Sequence, residues 1–598
     1  MLLILRVALI FSCFGLLAAC GESGLAPAAA MPPTTTTLPP PADAALPTPF
    51  RVGAAKAKLA LPEGGICTGG YGIFCVRKPT AARVNSRGVT DDLHTRAIAL
   101  RDAEGETLVV ITTSVIGLFS AYKPALGAAD DSTRPGLYQI RGAIADAADI
   151  PIENVLIQSD HSHFSPDTVG IWGGSSEGEP FEALLKAYAD SMQQTAAEAI
   201  ANLEPAALMV GAVDGAAVAC PTPIPFCVVN SLYSSAPNLF TDEVFRLIEA
   251  RRADGSAIAR WVNYSPHATV LDDYGDDVAL SGDWAGWMAG DLDQSGDCGA
   301  RRCTVGLATL ATLGRTDFNN SREGTADDAS GPEKNLQRER LARARLDYFM
   351  SLLKSGAPQT GVMPFTTVTG DNRIAVRERL IRESVTQGIF YANHAPFVGL
   401  PDALSSQIPF AEDATGGSTA SIDRANTPPW LTGNVIAAPV SAFRVGDLFF
   451  GTAPGEEFPN AMQRMREEGG VAGPQMHFFL GTTNDFIGYM GPANGYAQIA
   501  AQGTFYLAGC PEDQGSDPFR DFLAGLERLG YDPERVFDSG SCPDHFILMT
   551  SPTIGDHVTC SIQAMAGELG FVVGTEDQNC PVYTATDRPG GRVADAPL

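Results

Sequence analysis

The chain has few cationic side chains for its length. Its 598 residues include 41 lysines and arginines against 69 aspartates and glutamates, a formal net charge of −28 at pH 7. A densely anionic partner needs a cationic face on the protein. The composition therefore argues against nucleic acid or an anionic lipid surface as a direct partner, and solubility is its simplest interpretation.

The N-terminus lacks an apolar run long enough to cross a bilayer as a helix. The run Val7–Leu17 has roughly 11 residues, whereas a transmembrane helix needs about 20. A single arginine before it and small residues after it are typical of a signal peptide, residues 1–19. The segment Leu17–Cys20 (Leu-Ala-Ala-Cys) resembles a lipobox. This predicts an exported lipoprotein of the cell envelope, held to the membrane by a lipidated Cys20; an ordinary signal peptide cleaved nearby is the alternative.

Large apolar side chains are scarce in residues 20–49, which are rich in proline and threonine. That composition cannot bury a core and predicts an extended tether. Residues 50–598 form the predicted folded domain, and 45% hydrophobic content over the chain is enough for a large core. Within it, a stretch at about 365–430 is rich in loop formers and is predicted to be an insertion. No internal repeat is found.

No pair of cysteines has the CxxC spacing of a thiolate zinc site. Beyond Cys13 in the signal and the anchoring Cys20, ten cysteines remain, an even number that suits disulfides in an oxidising compartment. Proximity alone predicts these pairs: Cys67 with Cys75, Cys220 with Cys227, Cys298 with Cys303, Cys510 with Cys542, and Cys560 with Cys580.

Apolar, β-branched runs alternate with amphipathic helical patterns along the folded part. This alternation predicts an α/β fold with a large mixed sheet, helices packed on it and disulfide-stapled loops. The predicted strands lie at Thr107–Ile116, Val155–Gln158, Ile258–Val262, Val305–Leu310 and Leu448–Gly451. The predicted helices lie at Leu137–Ala148, Phe181–Leu203 and Glu339–Leu353.

Histidine is scarce too, with eight in the chain. Two of them, His161 and His163, follow a predicted strand two residues apart, so they can face one cavity at its end. His267 follows another predicted strand in the same way. Ligands and general acids are often placed at such strand ends. Two surface loop histidines would be the ordinary interpretation of the His-x-His pair alone.

Several segments resemble the catalytic N-terminal domain of the neutral, alkaline or non-lysosomal ceramidases. The similarity runs patchily from about Phe50 to about Tyr496. It is carried by these segments: Phe50–Ala55 (Phe-Arg-Val-Gly-Ala-Ala), Leu93–Ala97 (Leu-His-Thr-Arg-Ala), Asn154–Ile157 leading into His161–His163 (His-Ser-His), Ala453–Glu456 (Ala-Pro-Gly-Glu) and Asn484–Tyr489 (Asn-Asp-Phe-Ile-Gly-Tyr).

The resemblance implies one catalytic zinc ion per chain. His161, His267 and Glu456 match its ligands, with Glu457 the less favoured neighbour, and Tyr489 matches the tyrosine that completes the shell. His163 matches the histidine beside the reacting carbonyl, which implies a general acid or base. Zinc with an open position activates water near neutral pH. The implied activity is hydrolysis of an amide or ester bond, in a lipid such as an N-acylsphingosine.

Four further positions receive weaker assignments. His94 is predicted to line the pocket or to be structural, and Asp283 to support the site from behind. Arg315 and Asp317 are predicted to contact polar groups of the substrate, or their loop is merely structural. The remaining histidines are read as ordinary surface or core residues: His394, His477, His545 and His557.

The sequence departs from the family at three points. Asp317 stands where the family carries a serine that some accounts treat as a nucleophile, so a serine mechanism does not carry over. No arginine-rich stretch occurs around Cys220–Cys227, and no immunoglobulin-like domain follows. A catalytically inactive, cell-surface binding lipoprotein is therefore the alternative. A serine esterase is disfavoured because no G-x-S-x-G elbow follows a strand in the expected context.

Overall fold

The predicted alternation of strands and helices is present in the computed structural model. The structure describes these residues: 47–62, 67–70, 79–81, 84–122, 133–169, 179–218, 232–234, 240–271, 278–293, 304–318, 331–357, 359–384, 435–467, 470–491, 554–574 and 593–597. All of them belong to one compact unit, residues 45–598. No helix among them is both long and apolar enough to span a membrane.

The strands of the described residues are β1 (Phe50–Lys58), β2 (Pro79–Ala81), β3 (His94–Arg101), β4 (Thr107–Thr113), β5 (Val155–Ser159), β6 (Glu204–Asp214), β7 (Leu232–Ser234), β8 (Val244–Arg251), β9 (Ala257–Tyr264), β10 (Val278–Ala279), β11 (Val305–Leu310), β12 (Thr316–Phe318), β13 (Val362–Thr367), β14 (Ile374–Ser384), β15 (Val435–Val445), β16 (Leu448–Thr452), β17 (Glu456–Glu457), β18 (Val471–Ala472), β19 (Met476–Leu480), β20 (Tyr489–Met490), β21 (Val572–Val573) and β22 (Val593–Pro597).

Within the same residues the α-helices are α1 (Leu137–Ala148), α2 (Glu179–Ala201), α3 (Asp283–Leu292), α4 (Gly331–Ser355), α5 (Asn460–Arg466) and α6 (Ile554–Glu568), and a 3-10 turn spans Ile152–Asn154. Each strand and helix predicted above has a counterpart here. Strand β14 lies within the segment expected to be loop-rich, about 365–430, of which residues 385–430 lie outside the described residues. In β14, Arg377 and Arg379 alternate with the buried Val376, Glu378 and Leu380, which is the pattern of a half-buried strand.

Two mixed sheets organise the fold. The larger has nine strands, in the order β11-β9-β8-β6-β1-β3-β4-β5, with β13 also paired to β6. The smaller has five, in the order β19-β16-β15-β14-β22. Three pairs are parallel within these sheets, β4 with β5, β9 with β11, and β16 with β19. The mixed-sheet α/β prediction is thus confirmed.

The two sheets pack face to face, and helices cover their outer faces. Phe443, Phe450 and Phe478 of the smaller sheet share one core with strands of the larger, and Phe450 stacks on Trp261 at 5.1 Å between ring centroids. Neighbouring stacks at 4.3 and 4.6 Å extend this contact. Each such aromatic pair adds about 0.5–1.5 kcal/mol beyond the buried area. The interface therefore fixes one sheet relative to the other.

The parallel pairs bring several strand ends to one place. The Gln158 side chain, at the end of β5, donates to the carbonyls of Leu310 and Gly481 at 2.8 and 2.7 Å. Its own oxygen accepts from the Leu310 amide at 3.0 Å. One buried amide thus joins the carboxyl ends of β5, β11 and β19. Residues that follow these strands meet at a common edge.

Both cysteines within the described residues, Cys67 and Cys560, are disulfide-bonded. Their predicted partners, Cys75 and Cys580, lie outside the described residues, as do the lipobox cysteine Cys20, His394 and His545.

Candidate metal centre

The loop after β5 presents His161 in a backbone conformation that is uncommon for a residue with a side chain. Its φ is 51°, in the left-handed region. The His161 amide donates to the Val115 carbonyl at 3.0 Å, and its ring Nδ1 lies 2.6 Å from the Ile116 carbonyl oxygen. A carbonyl accepts but cannot donate, so Nδ1 carries a proton and Nε2 is the nitrogen that faces Glu456.

Asp160 holds this loop from the inside. Its Oδ1 accepts from the amides of Val115 and Ser162 at 3.1 and 3.2 Å. Burial raises the pKa of the Asp160 carboxyl to about 8, despite these hydrogen bonds. The carboxyl therefore acts here as a buried hydrogen-bonding brace.

The loop after β9 places His267 opposite His161. The His267 amide donates to the Thr316 carbonyl at 2.7 Å, and the indole of Trp284 donates to the His267 carbonyl at 3.1 Å. Asp283 does not face the histidines. Its carboxylate instead accepts from the amides of Val270 and Leu271 at 3.2 and 3.0 Å, which shapes the loop that carries His267.

Glu456 completes the group from β17, in the segment that follows β16 of the smaller sheet. Its Oε2 lies 2.8 Å from Nε2 of His267 and 3.5 Å from Nε2 of His161. Burial alone would raise the pKa of the Glu456 carboxyl, but the two imidazoles hold it well below its usual value. Burial would likewise lower the pKa of His267, and the hydrogen bond to Glu456 raises it. The two residues thus behave as an ion pair.

Strand β17 pairs in parallel with β20, which sets Glu456 beside Tyr489. The ring of Tyr489 lies 6.3 Å from that of His267. Glu457 faces away from the histidines, toward Asp556 and Arg464 on α6 and α5, and burial raises its pKa well above the usual value.

His163 lies across the same opening and is only partly buried. Its ring centroid is 5.1 Å from that of His161 and 5.6 Å from that of His267. The ring nitrogens of these three histidines offer ligand atoms that all lie within 4.8 Å of one another. The predicted group His161, His163, His267, Glu456 and Tyr489 is therefore brought together around one point.

The donor set fits a divalent cation such as zinc. Tetrahedral zinc with nitrogen and oxygen ligands separates them by about 3.3 Å, close to the 2.8 and 3.5 Å from the carboxylate oxygen to the two Nε2 atoms. The Nδ1 contact of His161 with a carbonyl is the support that metal-bound histidines usually have. Two ligand sets are possible, one with Glu456 and one with His163 beside His161 and His267.

Two of the weaker predictions lie beside this group, and a third does not. Asp317 accepts from the Thr269 hydroxyl at 2.6 Å and is partly exposed; its charge helps to raise the pKa of His267. Arg315 is next to it in the chain, with φ 61°. His94 does not join the cluster: its ring contacts the Asp92 carbonyl, and burial lowers its pKa to about 4.

Two further histidines within the described residues lie outside this cluster. The ring of His477 contacts the Val471 carbonyl at 2.7 Å, and His557 lies buried in α6.

Sequence reasoning missed residues that act through their backbone or by packing. The Ile116 carbonyl fixes His161, and Phe486 stacks on the His161 ring at 5.3 Å. Phe486 falls within the Asn-Asp-Phe-Ile-Gly-Tyr segment, which was a usable signal. A carbonyl leaves no signal in the sequence, since every residue has one.

The fold and the cluster define a mixed α/β protein with a candidate metal centre at the carboxyl ends of its strands. No protein-family model matches the sequence, and no curated protein does. Solved structures similar to this chain include two ceramidases. One is a neutral ceramidase from Pseudomonas aeruginosa, 16% identical, with a TM-score of 0.52 over 88% of this chain and 76% of the other.

The second is a ceramidase complexed with C2, 15% identical, with a TM-score of 0.52 over 85% of this chain and 77% of the other. The chain thus has a neutral ceramidase-like fold, as the sequence segments predict.

Proposed function

We propose that this protein is a zinc-dependent hydrolase that cleaves an amide or ester bond in a lipid such as an N-acylsphingosine. The observation that carries the proposal is the convergence of His161, His267 and Glu456 on one point. A buried carboxylate between two imidazoles is costly to assemble unless it serves a bound cation or a reaction. Similarity to two ceramidase folds supports the lipid amide class.

His161, His267 and Glu456 would hold the zinc ion, with Tyr489 at its edge. Zinc supplies a Lewis acid that polarises a carbonyl and makes water acidic enough to attack near neutral pH. His163 is left to move a proton. Its ring lies 5.1 and 5.6 Å from the rings of the other two histidines, so it would stand beside a carbonyl held at the ion and could pass a proton to the nitrogen or oxygen of the leaving group.

Asp317 supports a water mechanism over a serine mechanism. Its carboxylate is already engaged by the Thr269 hydroxyl and has no hydroxyl to form an acyl ester. The uncharged head of an N-acylsphingosine also suits a protein with a net charge of −28 better than an anionic headgroup does. We further propose that Cys20 carries the lipid that holds the protein to the membrane of the cell envelope.

Metal content tests the centre directly. We expect the purified chain to bind about one zinc ion, and His161→Ala and Glu456→Ala to lose it while remaining folded by circular dichroism. His477→Ala is the matched control, because that histidine lies outside the cluster, with its ring against the Val471 carbonyl and the Phe449 ring, and the variant should keep the metal. If the folded wild-type protein binds no zinc from a buffer to which zinc has been added, the metal mechanism is wrong.

Turnover then separates the two functional classes. A zinc-loaded protein should release fatty acid from N-acylsphingosines or related lipid amides and esters. Binding of the lipid without release would favour the alternative, an inactive surface lipoprotein, for which Asp317 in place of the serine is the supporting feature.

A further inference from the structure

Residues 67–70, here called the strap, lie against the loop that carries His163. The amide of Gly69 donates to the Ser165 carbonyl at 3.0 Å, and the amide of Asp167 donates to the Cys67 carbonyl at 2.7 Å. Thr68 forms a β-bridge with Pro166 between these bonds. The strap is also tied down covalently, because Cys67 is buried and disulfide-bonded.

Gly70 brings the strap backbone onto the imidazole of His163. A Cβ added at Gly70 would lie 2.2 Å from Cγ and 2.3 Å from Nδ1 of His163, whereas real Cβ atoms essentially never approach other atoms within 3.0 Å. The φ of Gly70 is +88°, a conformation that side chains rarely adopt. One side of the His163 ring is therefore closed by backbone.

Gly69 makes a second close contact on the other side of the strap. A Cβ there would lie 2.7 Å from the Ile116 side chain. The Ile116 carbonyl is the group that fixes Nδ1 of His161. The strap thus lies between the residue that orients one histidine and the ring of another.

We propose that the strap is a positioning element that holds the His163 ring in the orientation needed for proton transfer. The inference rests on the proposed function for the role of His163, but the contact itself does not. A partly exposed histidine can rotate about two side-chain bonds. The strap excludes the ring orientations that would overlap the backbone of Gly70. A misplacement of about 1 Å at a reacting group can cost about 100-fold in rate.

The first test is Gly70→Ala in the full chain. We expect kcat on a short-chain N-acylsphingosine to fall about 100-fold, with KM changed less than about twofold and zinc content retained. Gly255→Ala is the matched control. Its φ of +82° imposes nearly the same backbone strain, but nothing lies within 4 Å of the added Cβ, so kcat should stay unchanged.

A double-mutant cycle with His163→Gly tests the contact without any activity. Glycine removes the ring and also the Cβ of residue 163, which would lie 2.5 Å from the new methyl group. Gly70→Ala should therefore lower the melting temperature of the metal-free protein by less in the His163→Gly background than in the wild type. If Gly70→Ala alone fails to fold, folding of the double variant supports the proposal, and failure of both overturns it.

The outcomes separate the strap from the function. Equal destabilisation by Gly70→Ala in both backgrounds, or an unchanged kcat in an active enzyme, would refute the proposal that the strap positions His163. The hydrolase proposal would be unaffected by that result. A second outcome is possible, in which the melting temperatures of the double-mutant cycle are non-additive but the wild-type protein cleaves no lipid. That outcome would confirm the contact between Gly70 and His163 and reject the role of His163 in proton transfer.

Discussion

The wall and the rim of the candidate centre are built differently. The wall consists of His161, His267 and Glu456, which are only 1–4% exposed and whose backbone amides donate to carbonyls of neighbouring segments. The rim includes Asp317 and Arg315, which are partly exposed and lie at the start of β12. The wall keeps the residues of the ceramidase resemblance, whereas the rim departs from it. Metal chemistry and substrate choice are therefore expected to respond to different substitutions.

The largest effect is expected behind the wall, at Asp160. Asp160→Ala leaves the buried amides of Val115 and Ser162 without an acceptor, which costs about 1–3 kcal/mol for each group left unsatisfied. Since these amides set the His161 loop, zinc affinity should fall about 10–100-fold. Titration with a competing chelator measures it.

Asp160→Asn is the control for that substitution. Its oxygen can accept from the same two amides, so zinc affinity should stay near that of the wild type. Equal losses in both variants would show that the wall depends on charge and not on this hydrogen bonding.

An intermediate effect is expected at Asp485, beneath the wall. Burial raises the pKa of its carboxyl to about 8 from the ordinary 3.8, against hydrogen bonds from the amides of Ser120 and Phe486. The folded state therefore binds the proton more tightly. The protonated Asp485 carboxyl therefore makes its full contribution to the stability of the folded state below pH 3.8, and this contribution is lost as pH rises through about 8.

Asp485→Asn stays neutral at every pH and can accept from the same amides. As pH rises from about 5 to about 9, the free energy of unfolding should fall less in this variant than in the wild type. The difference should be a few kcal/mol, since each unit of pKa shift corresponds to about 1.4 kcal/mol. Chemical denaturation at both pH values measures the difference. Parallel pH dependence in the two proteins would show that Asp485 does not titrate in this range.

The smallest effect is expected at the rim. Asp317→Asn keeps an oxygen for the Thr269 hydroxyl but removes the charge. Zinc content should be unchanged, and kcat/KM should shift less than about tenfold, mainly through KM. A steady-state comparison on N-acylsphingosine is sufficient. Loss of zinc in this variant would place Asp317 in the wall and remove the distinction between the two regions.

Much of the fold was readable from the sequence, since long periodic segments such as α1 and strands such as β11 lie where the patterns predict them. Strand β1 was not predicted, because its alanines, glycine and lysines have low β propensity. It forms because β3 and β6 pair with it on both sides. Strand β14 was hidden by its charged residues in the same way.

By itself the sequence determined which residue types could bind a metal and which strands they follow, because hydrophobic periodicity and the His-Ser-His and Ala-Pro-Gly-Glu segments are local features. Only the tertiary structure decided that Glu456 and not its neighbour faces the histidines, that Asp283 supports a loop, that His94 lies apart, and that Gly70 covers His163. Several of those outcomes depend on contacts between residues far apart in the chain, such as His267 and Glu456, which are 189 positions apart. No local pattern encodes the distance between two such side chains.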